Sequence, residues 1–123
     1  MAQEIGVVND DLEPLIWLEF INGATIECLV DTGFNGALML PEEFIRANDF
    51  PLVGEQNFRV VGQKGLYVAQ TALAGIIWLG DRFDIEVAIS ETGFALIGAE
   101  LMIDCRLEID YVASTITIEK IQG

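Results

Sequence analysis

The segment that most constrains the fold is CLVDTGFNGALML, residues 28–40. An apolar, strand-like run ends at a single acid, Asp31, turns through Thr32 and Gly33, and becomes apolar again at once. An ionised carboxylate that is buried without partners is costly, so the turn must either reach water or hold Asp31 for a purpose. Thr and Gly are ordinary turn residues, and the tripeptide alone does not decide between these alternatives.

Short apolar runs separated by turn signals predict a chain that is nearly all β. Asn22-Gly23 is a strong hairpin signal, and it lies between predicted strands at residues 15–20 and 24–30. Residues 48–56 are predicted to be a loop. The other predicted strands are 37–40, 58–61, 66–79, 82–89, 94–97, 107–111 and 115–119, and the predicted short helices are 41–47 and 98–104.

The length of 123 residues is that of one domain with its own core. We divide the chain into an acidic N-terminal arm, residues 1–14, and a single domain, residues 15–123. The arm is expected to be ordered only where it pairs with something, because it is short, terminal and charged. It contains no base and the following acids: Glu4, Asp10, Asp11 and Glu13.

The sequence also echoes itself. Residues 37–44, ALMLPEEF, resemble residues 95–102, ALIGAELM, and in both a short apolar strand runs straight into a predicted helix with an early acid. Upstream, residues 31–34, DTGF, loosely resemble residues 91–94, ETGF. The echo suggests two structurally similar halves.

The residue inventory narrows the chemistry. Histidine is absent, which excludes Ser-His-Asp and Cys-His nucleophiles and most zinc hydrolase sites. Cys28 and Cys105 are too few for a disulfide framework and too far apart for a zinc motif, so we interpret both as buried thiols. No metal site and no cofactor is expected.

The charge balance narrows the partners. Asp and Glu number 20 against 6 Lys and Arg, for a net charge of −14. This balance argues against nucleic acid or an anionic membrane as a partner, because both need a basic surface. No apolar stretch approaches the length of a bilayer span and no signal-peptide pattern opens the chain, so we expect a soluble, cytoplasmic protein.

Residues 15–119, taken in order, resemble the retropepsin-like aspartic proteases, a single-domain family that includes the retroviral proteases and small bacterial relatives. Residues 28–33, CLVDTG, match the family's apolar-apolar-Asp-Thr-Gly, and residues 95–98, ALIG, match its second hallmark. Residues 62–65, GQKG, fall where the family has its flap. The resemblance implies a mostly β fold, a closed acid-protease barrel with one or two short helices, whose pseudo-two-fold symmetry accounts for the echo.

The resemblance also implies an activity, that of an aspartic-type endopeptidase acting on a peptide or protein substrate. Aspartic proteases are the standard example of two nearby carboxylates that share one proton. The pair activates a water that lies between the two carboxylates. This chain offers one such acid, Asp31, so we expect a homodimer that contributes Asp31 from each chain. Glu91 is a poorer second acid, because it precedes the wrong strand element and its longer side chain breaks the symmetry.

Residue by residue, the resemblance makes Asp31 catalytic and makes Thr32 and Gly33 its supporting loop, with Gly33 also leaving room for the substrate backbone. Phe34 stands where the family most often has Ala or Ser, so its ring is expected to crowd a bound peptide or line the dimer seam. Asn35 is expected to hold the substrate main chain, less strongly than an acid would. The substrate-binding set is Gly33, Phe34, Asn35, Gly62, Gln63, Lys64 and Gly65.

Two other functions remain open. One is a non-catalytic dimerisation or peptide-binding module that kept the fold, with Phe34 blocking the cleft. The other is a monomeric domain whose partner supplies the second aspartate. For the homodimer we expect the strand at residues 115–119 to pair with a second chain rather than remain an open edge.

Overall fold

The computed structural model describes residues 2–59, 65 and 67–122 of the chain. In this structure the apolar segments fold into strands. Helix α1 spans Glu42–Ala47, and a 3₁₀ turn spans Ala99–Met102. The strands are β1 (Gln3–Val8), β2 (Pro14–Phe20), β3 (Thr25–Val30), β4 (Leu38–Pro41), β5 (Leu52–Phe58), β6 (Tyr67–Trp78), β7 (Asp81–Ser90), β8 (Leu96–Ile97), β9 (Cys105–Asp110) and β10 (Thr115–Lys120).

Six of the strands close into a barrel in the order β2-β3-β8-β4-β7-β6. The barrel closes because β6 pairs back onto β2, with Phe20 opposite Ile76. Strand β2 alternates buried and exposed residues, and Ile16, Leu18 and Phe20 form part of its core-facing side. This confirms the prediction of a mostly β, closed barrel with short helices.

The barrel has a repeated pattern of strand pairing. Strand β3 runs parallel to β8, and β4 runs parallel to β7. At the centre β4 and β8 are antiparallel neighbours, with Leu38 opposite Ile97 and Met39 opposite Leu96. The two segments that echo each other in the sequence therefore contain the two central strands, each lying beside the strand that precedes the other.

The N-terminal residues are built into the sheet. Strand β1 lies within the segment that the sequence analysis calls an arm, and it pairs with β10 from Gln3↔Glu119 to Val7↔Thr115 and with β2 at Val7↔Leu15. Strand β10 pairs on its other side with β9. The expectation that β10 needs a second chain to cover its edge is therefore wrong, while the division of the chain at residue 14 stays a prediction.

Several element boundaries differ from the sequence-based predictions. Strand β5 occupies most of the predicted loop at 48–56; apart from Phe58 its side chains are exposed, and its ladder to β6 holds it in place. The predicted helix at 98–104 is only the 3₁₀ turn. Among the described residues, the sheet ends at β5 and β9, and no helix is long and apolar enough to cross a bilayer.

Candidate active site

The Asp-Thr-Gly turn links β3 to β4, and hydrogen bonds of the Asp31 backbone and side chain hold it in place. The Asp31 N–H donates to the carbonyl of Ile97 at 2.8 Å, which fixes the backbone where β3 ends. The Asp31 Oδ1 accepts the N–H of Gly33 at 2.9 Å, and the Asp31 carbonyl accepts the N–H of Phe34 at 3.2 Å. The half-buried carboxylate is thus presented in a fixed orientation by its own turn.

The second half of the barrel supplies the scaffold for this turn. The 3₁₀ turn begins directly beneath it, where the N–H of Ala99 donates to the Phe34 carbonyl at 2.8 Å and the N–H of Glu100 donates to the Gly36 carbonyl at 3.2 Å. The N–H of Gly98 donates to the Ala37 carbonyl at 2.9 Å. Three consecutive N–H groups therefore satisfy carbonyls of the loop that follows Asp31.

Thr32 is exposed and Gly33 is half-buried. Gly33 donates its N–H to Asp31, but the supporting roles of both residues stay predictions. In the second half of the chain, the Ser90 Oγ at the end of β7 accepts the N–H of Thr92 at 3.2 Å, a bond across two residues like the one from Gly33 to Asp31. Glu91 lies between these two residues and is exposed.

Phe34 is buried within the single chain. Its side chain has 0% exposure, and its ring packs against that of Phe58 with centroids 5.4 Å apart. The ring has no exposed surface within the single chain, and a role of Phe34 in binding substrate or in the dimer seam stays a prediction. The sequence could not reveal this burial, because the surrounding residues come from strands far along the chain.

Asn35 is exposed but bonded within its own chain. Its Oδ1 accepts the N–H of Arg59 at 2.6 Å, and its N–H donates to the Arg59 carbonyl at 3.1 Å. These bonds tie the Asp31 turn to the end of β5, so Phe58 and Arg59 join the candidate site although sequence reasoning missed them. A role of Asn35 in holding the substrate main chain stays a prediction.

The predicted flap turn lies largely outside the described residues. Gly62, Gln63 and Lys64 belong to the part of the chain that the structure does not describe. Gly65 is described: it is exposed and has a φ of +72°, a left-handed conformation that favours glycine. The flap therefore stays a prediction.

Two cavities that are lined by described residues do not include Asp31 in their linings. A cavity of about 440 Å³ lies between α1 and β5 and is lined by residues that include Ile45 and Phe50. A smaller one of about 150 Å³ is lined by residues that include Glu55 and Glu91. Within the described part of the chain, no three His, Cys, Asp or Glu side chains are grouped so that they could hold a metal ion.

Sequence comparisons do not place the chain in a family. No family model matches it, and no curated protein is similar enough to count as a match.

Solved structures match the fold. A retropepsin-like aspartic protease from Rickettsia conorii superposes with a TM-score of 0.60 at 18% identity, covering 94% of this chain and 89% of that one. The fold is retropepsin-like. A structure of the foamy viral protease-reverse transcriptase in complex with an RNA/DNA hybrid shares the retropepsin-like fold with a TM-score of 0.52 at 16% identity, covering 74% of this chain and 12% of that one.

Proposed function

We propose that the protein is an aspartic endopeptidase whose active site forms between two chains. The observation that carries the proposal is the half-buried Asp31 carboxylate, oriented by its bond to Gly33 at the end of β3 in a retropepsin-like fold. In the second half of the same chain the residue that matches Asp31 in sequence is Glu91, which is exposed and whose longer side chain would break the symmetry of a dyad. A homodimer related by a two-fold axis brings a second Asp31 to the first.

The chemistry needs only the two carboxylates and water. Two acids held close together cannot both ionise, so the pair keeps one proton between them. The ionised member takes a proton from a water, which attacks the scissile carbonyl carbon, while the protonated member hydrogen-bonds the carbonyl oxygen. Both apparent ionisation constants belong to the pair rather than to either residue, so activity follows a bell-shaped pH profile.

The substrate and the location of the protein belong to the same proposal. The substrate is a peptide or an unfolded protein segment, and the working location is the cytoplasm. The net charge of −14 disfavours nucleic acid and anionic membrane surfaces as partners.

Two rival proposals lack a specific observation in their favour. A binding module with a blocked cleft relied on a protruding Phe34, and that ring is buried. A monomeric domain completed by a different partner is distinguished from the homodimer by sizing the purified chain at several concentrations.

Asp31→Asn tests the proposal directly. The asparagine oxygen can still accept the Gly33 N–H, so the turn and the fold are expected to survive. Hydrolysis of an unfolded protein substrate is expected to fall to background at acidic and neutral pH, because an amide can neither deprotonate water nor share a proton.

The matched control is Glu91→Gln, which makes the same change of charge on the exposed turn of the second half. This variant should cleave at the wild-type rate. Undiminished cleavage by Asp31→Asn would remove the protease proposal, and equal loss in both variants would mean that charge rather than the Asp31 dyad matters.

A further inference from the structure

We propose that the outward side of strands β1, β2 and β3 binds a partner protein, through a segment in which lysine or arginine flanks apolar residues. We call this surface the Trp17 face. Its residues are Ile5, Val7, Leu15, Trp17, Leu29, Glu19 and Glu27. The face does not include the Asp31 turn, so the proposal goes beyond the proposed function and does not depend on it.

The Trp17 face exists because β1 and β2 carry apolar residues on their outward side. A sheet that packs one side on the core usually has polar residues on the other side. Strand β2 buries Ile16 and Leu18, yet the side chain between them is that of Trp17, which is 62% exposed. In β1, Ile5 and Val7 are 66% and 52% exposed. Packing within the chain therefore does not explain why these three outward residues are apolar.

The strand register gathers the outward residues into one patch. Val7 lies opposite Leu15, and Leu15 lies opposite Leu29, which is half-buried. Residues two apart on a strand point to the same side, so Ile5 adjoins Val7 and Trp17 adjoins Leu15. The patch therefore continues across three neighbouring strands. A contiguous exposed apolar patch marks an interaction site, whereas single exposed apolar residues are ordinary.

The charge around the patch indicates the chemistry of the partner. Trp17 lies opposite Glu27 in the β2–β3 ladder, and Glu19 follows two residues later on the same side of β2. A lysine or arginine beside Trp17 therefore has an aromatic ring and two carboxylates within reach. Residues 1–30, which form the face, contain no Lys or Arg and six acids: Glu4, Asp10, Asp11, Glu13, Glu19 and Glu27.

The same charges disfavour a second copy of the chain as the partner. Two copies joined through this face would bring their acids together, and like charges across an interface repel one another. The bases of the neighbouring strands β9 and β10 are engaged within the chain. Arg106 lies 3.0 Å from Glu119, and Lys120 lies 3.7 Å from Asp81. The partner that fits is therefore a different chain that carries basic and apolar side chains.

The first measurement is the binding of a short, fluorescently labelled peptide of leucine and lysine, followed by fluorescence anisotropy. The Asp31→Asn chain is used throughout, so that the proposed cleavage cannot consume the probe. Saturable binding is expected. Matched peptides with glutamate in place of lysine, or serine in place of leucine, should bind at least about tenfold more weakly, since the fit needs both the charge and the apolar contact.

Trp17 can report the contact directly. The chain has two tryptophans, and Trp78 is only 3% exposed, so acrylamide quenches mainly the fluorescence of Trp17. The leucine-lysine peptide should protect Trp17 from this quenching, and neutral phospholipid vesicles should not. Protection by the vesicles and not by the peptide would mean that the face binds a lipid surface, and the proposed protein partner would be wrong.

Two variants test the face itself. Trp17→Ser removes an exposed ring, and Glu19→Lys with Glu27→Lys reverses the charge at its edge. Each should weaken binding of the leucine-lysine peptide at least about tenfold, the scale of a hot-spot contact. The matched control is Glu43→Lys with Glu55→Lys, which makes the same change of charge at exposed positions of α1 and β5. This control should bind the peptide as its parent chain does.

Three results would overturn the proposal. The first is unchanged binding by Trp17→Ser and by the charge reversal at Glu19 and Glu27. The second is equal loss in the two charge-reversed chains, which would mean a general attraction to negative charge. The third is self-association, measured by sedimentation without peptide, that Trp17→Ser abolishes, because the face would then join two copies of the chain.

Discussion

At the scale of single residues, Gly98 is constrained by its neighbours rather than by its own backbone. Its φ is −102°, a value open to most residues. An added Cβ would nevertheless fall on the Gly36 carbonyl oxygen and lie 2.6 Å from the Phe34 ring. A backbone carbonyl cannot move aside as a flexible side chain can, so the constraint is steric.

Gly98→Ala is expected to lower the free energy of unfolding by about 1–3 kcal/mol, the usual cost of overpacking. Urea denaturation measures the change. Gly54→Ala is the control, because its Cβ would meet only the Thr71 Oγ1 at 3.9 Å, and it should stay within about 0.5 kcal/mol of wild type. Equal losses in the two variants would contradict the close approach at Gly98.

A second residue-scale prediction concerns pH. Burial raises the pKa of Glu4 above its ordinary value of 4.5, and the negative charge of Glu19 raises it further. The hydrogen bond from the Leu79 N–H lowers the pKa, but by less than burial raises it. The folded state therefore binds this proton more tightly than the unfolded state, and stability falls as pH rises from about 4.5 through the folded pKa. Glu4→Gln keeps an acceptor for Leu79 and removes the charge, so it should be more stable than wild type at neutral pH and gain little below pH 4.5.

Glu43→Gln, with the same change of charge on the exposed side of α1, separates this local effect from the general relief of negative charge. Asp110→Asn should show the opposite trend. The N–H groups of Ala113 and Val112 lower the pKa of Asp110 below 3.8, so its contribution is present above that pH and is lost on acidification. Thermal melts from pH 3 to 7 compare all four proteins; equal pH trends in Glu4→Gln and Glu43→Gln would refute the assignment to Glu4.

The sequence predicts the local part of the candidate site and misses the rest. The turn at Asp31 and Gly33 can be predicted from the sequence because adjacent residues form it. The burial of Phe34 cannot be predicted from the sequence, because the residues that surround its ring are remote in the sequence. They include Ala69, Ala88 and Gly98. The Asn35–Arg59 contact is missed for the same reason.

At the scale of elements, the sequence indicates strands that bury one face and misses those held by their neighbours. Strand β2 alternates apolar and exposed residues, and its predicted bounds agree with the structure within one residue. Strand β5 carries Gly54, Gln56 and Asn57, so nothing in its own pattern favours a strand. Its order comes from the ladder to β6, which no local pattern encodes.

Strand β1 provides a prediction at this scale. A chain that begins at residue 9 lacks the β1–β10 ladder and exposes the edge of β10, whose Ile116 and Ile118 are fully buried. At about 0.5–1.5 kcal/mol for each hydrogen bond lost, the deletion should remove several kcal/mol of stability and promote aggregation. Urea denaturation and light scattering measure the two effects.

The control for this deletion keeps the ladder and changes its surface. Ile5→Ser and Val7→Ser alter side chains that are 66% and 52% exposed, so together they should cost much less than the deletion. A deletion with wild-type stability would mean that the first residues are a dispensable arm.

At the scale of the whole molecule, the proposed shared dyad predicts a particular response to mixing. Wild-type chains that exchange with Asp31→Asn chains form mixed dimers with only one aspartate. Activity per active chain should fall to about half in an equal mixture, since random pairing leaves half of the active chains opposite an inactive one.

Mixing with the Glu91→Gln protein is the control and should cause no loss. Specific activity should also rise with protein concentration and with salt, because two chains of net charge −14 repel one another until they are screened. Activity strictly proportional to the amount of active chain in every mixture would mean that one chain suffices.

Because β10 is paired on both sides within its own chain, folding of the chain and association of two chains can be separate events. If the terminal sheet were shared between two chains, folding and association would occur together. Strand β10 is paired on both sides within one chain, by β1 and by β9, while β9 itself is the last strand of the sheet. Folding can then be unimolecular and independent of concentration, whereas assembly of the proposed dyad is second order. A cell can therefore hold the chain as folded, inactive monomers and control the proposed activity through the amount of chain that it synthesises. Dilution would separate the dimers again without unfolding the chains.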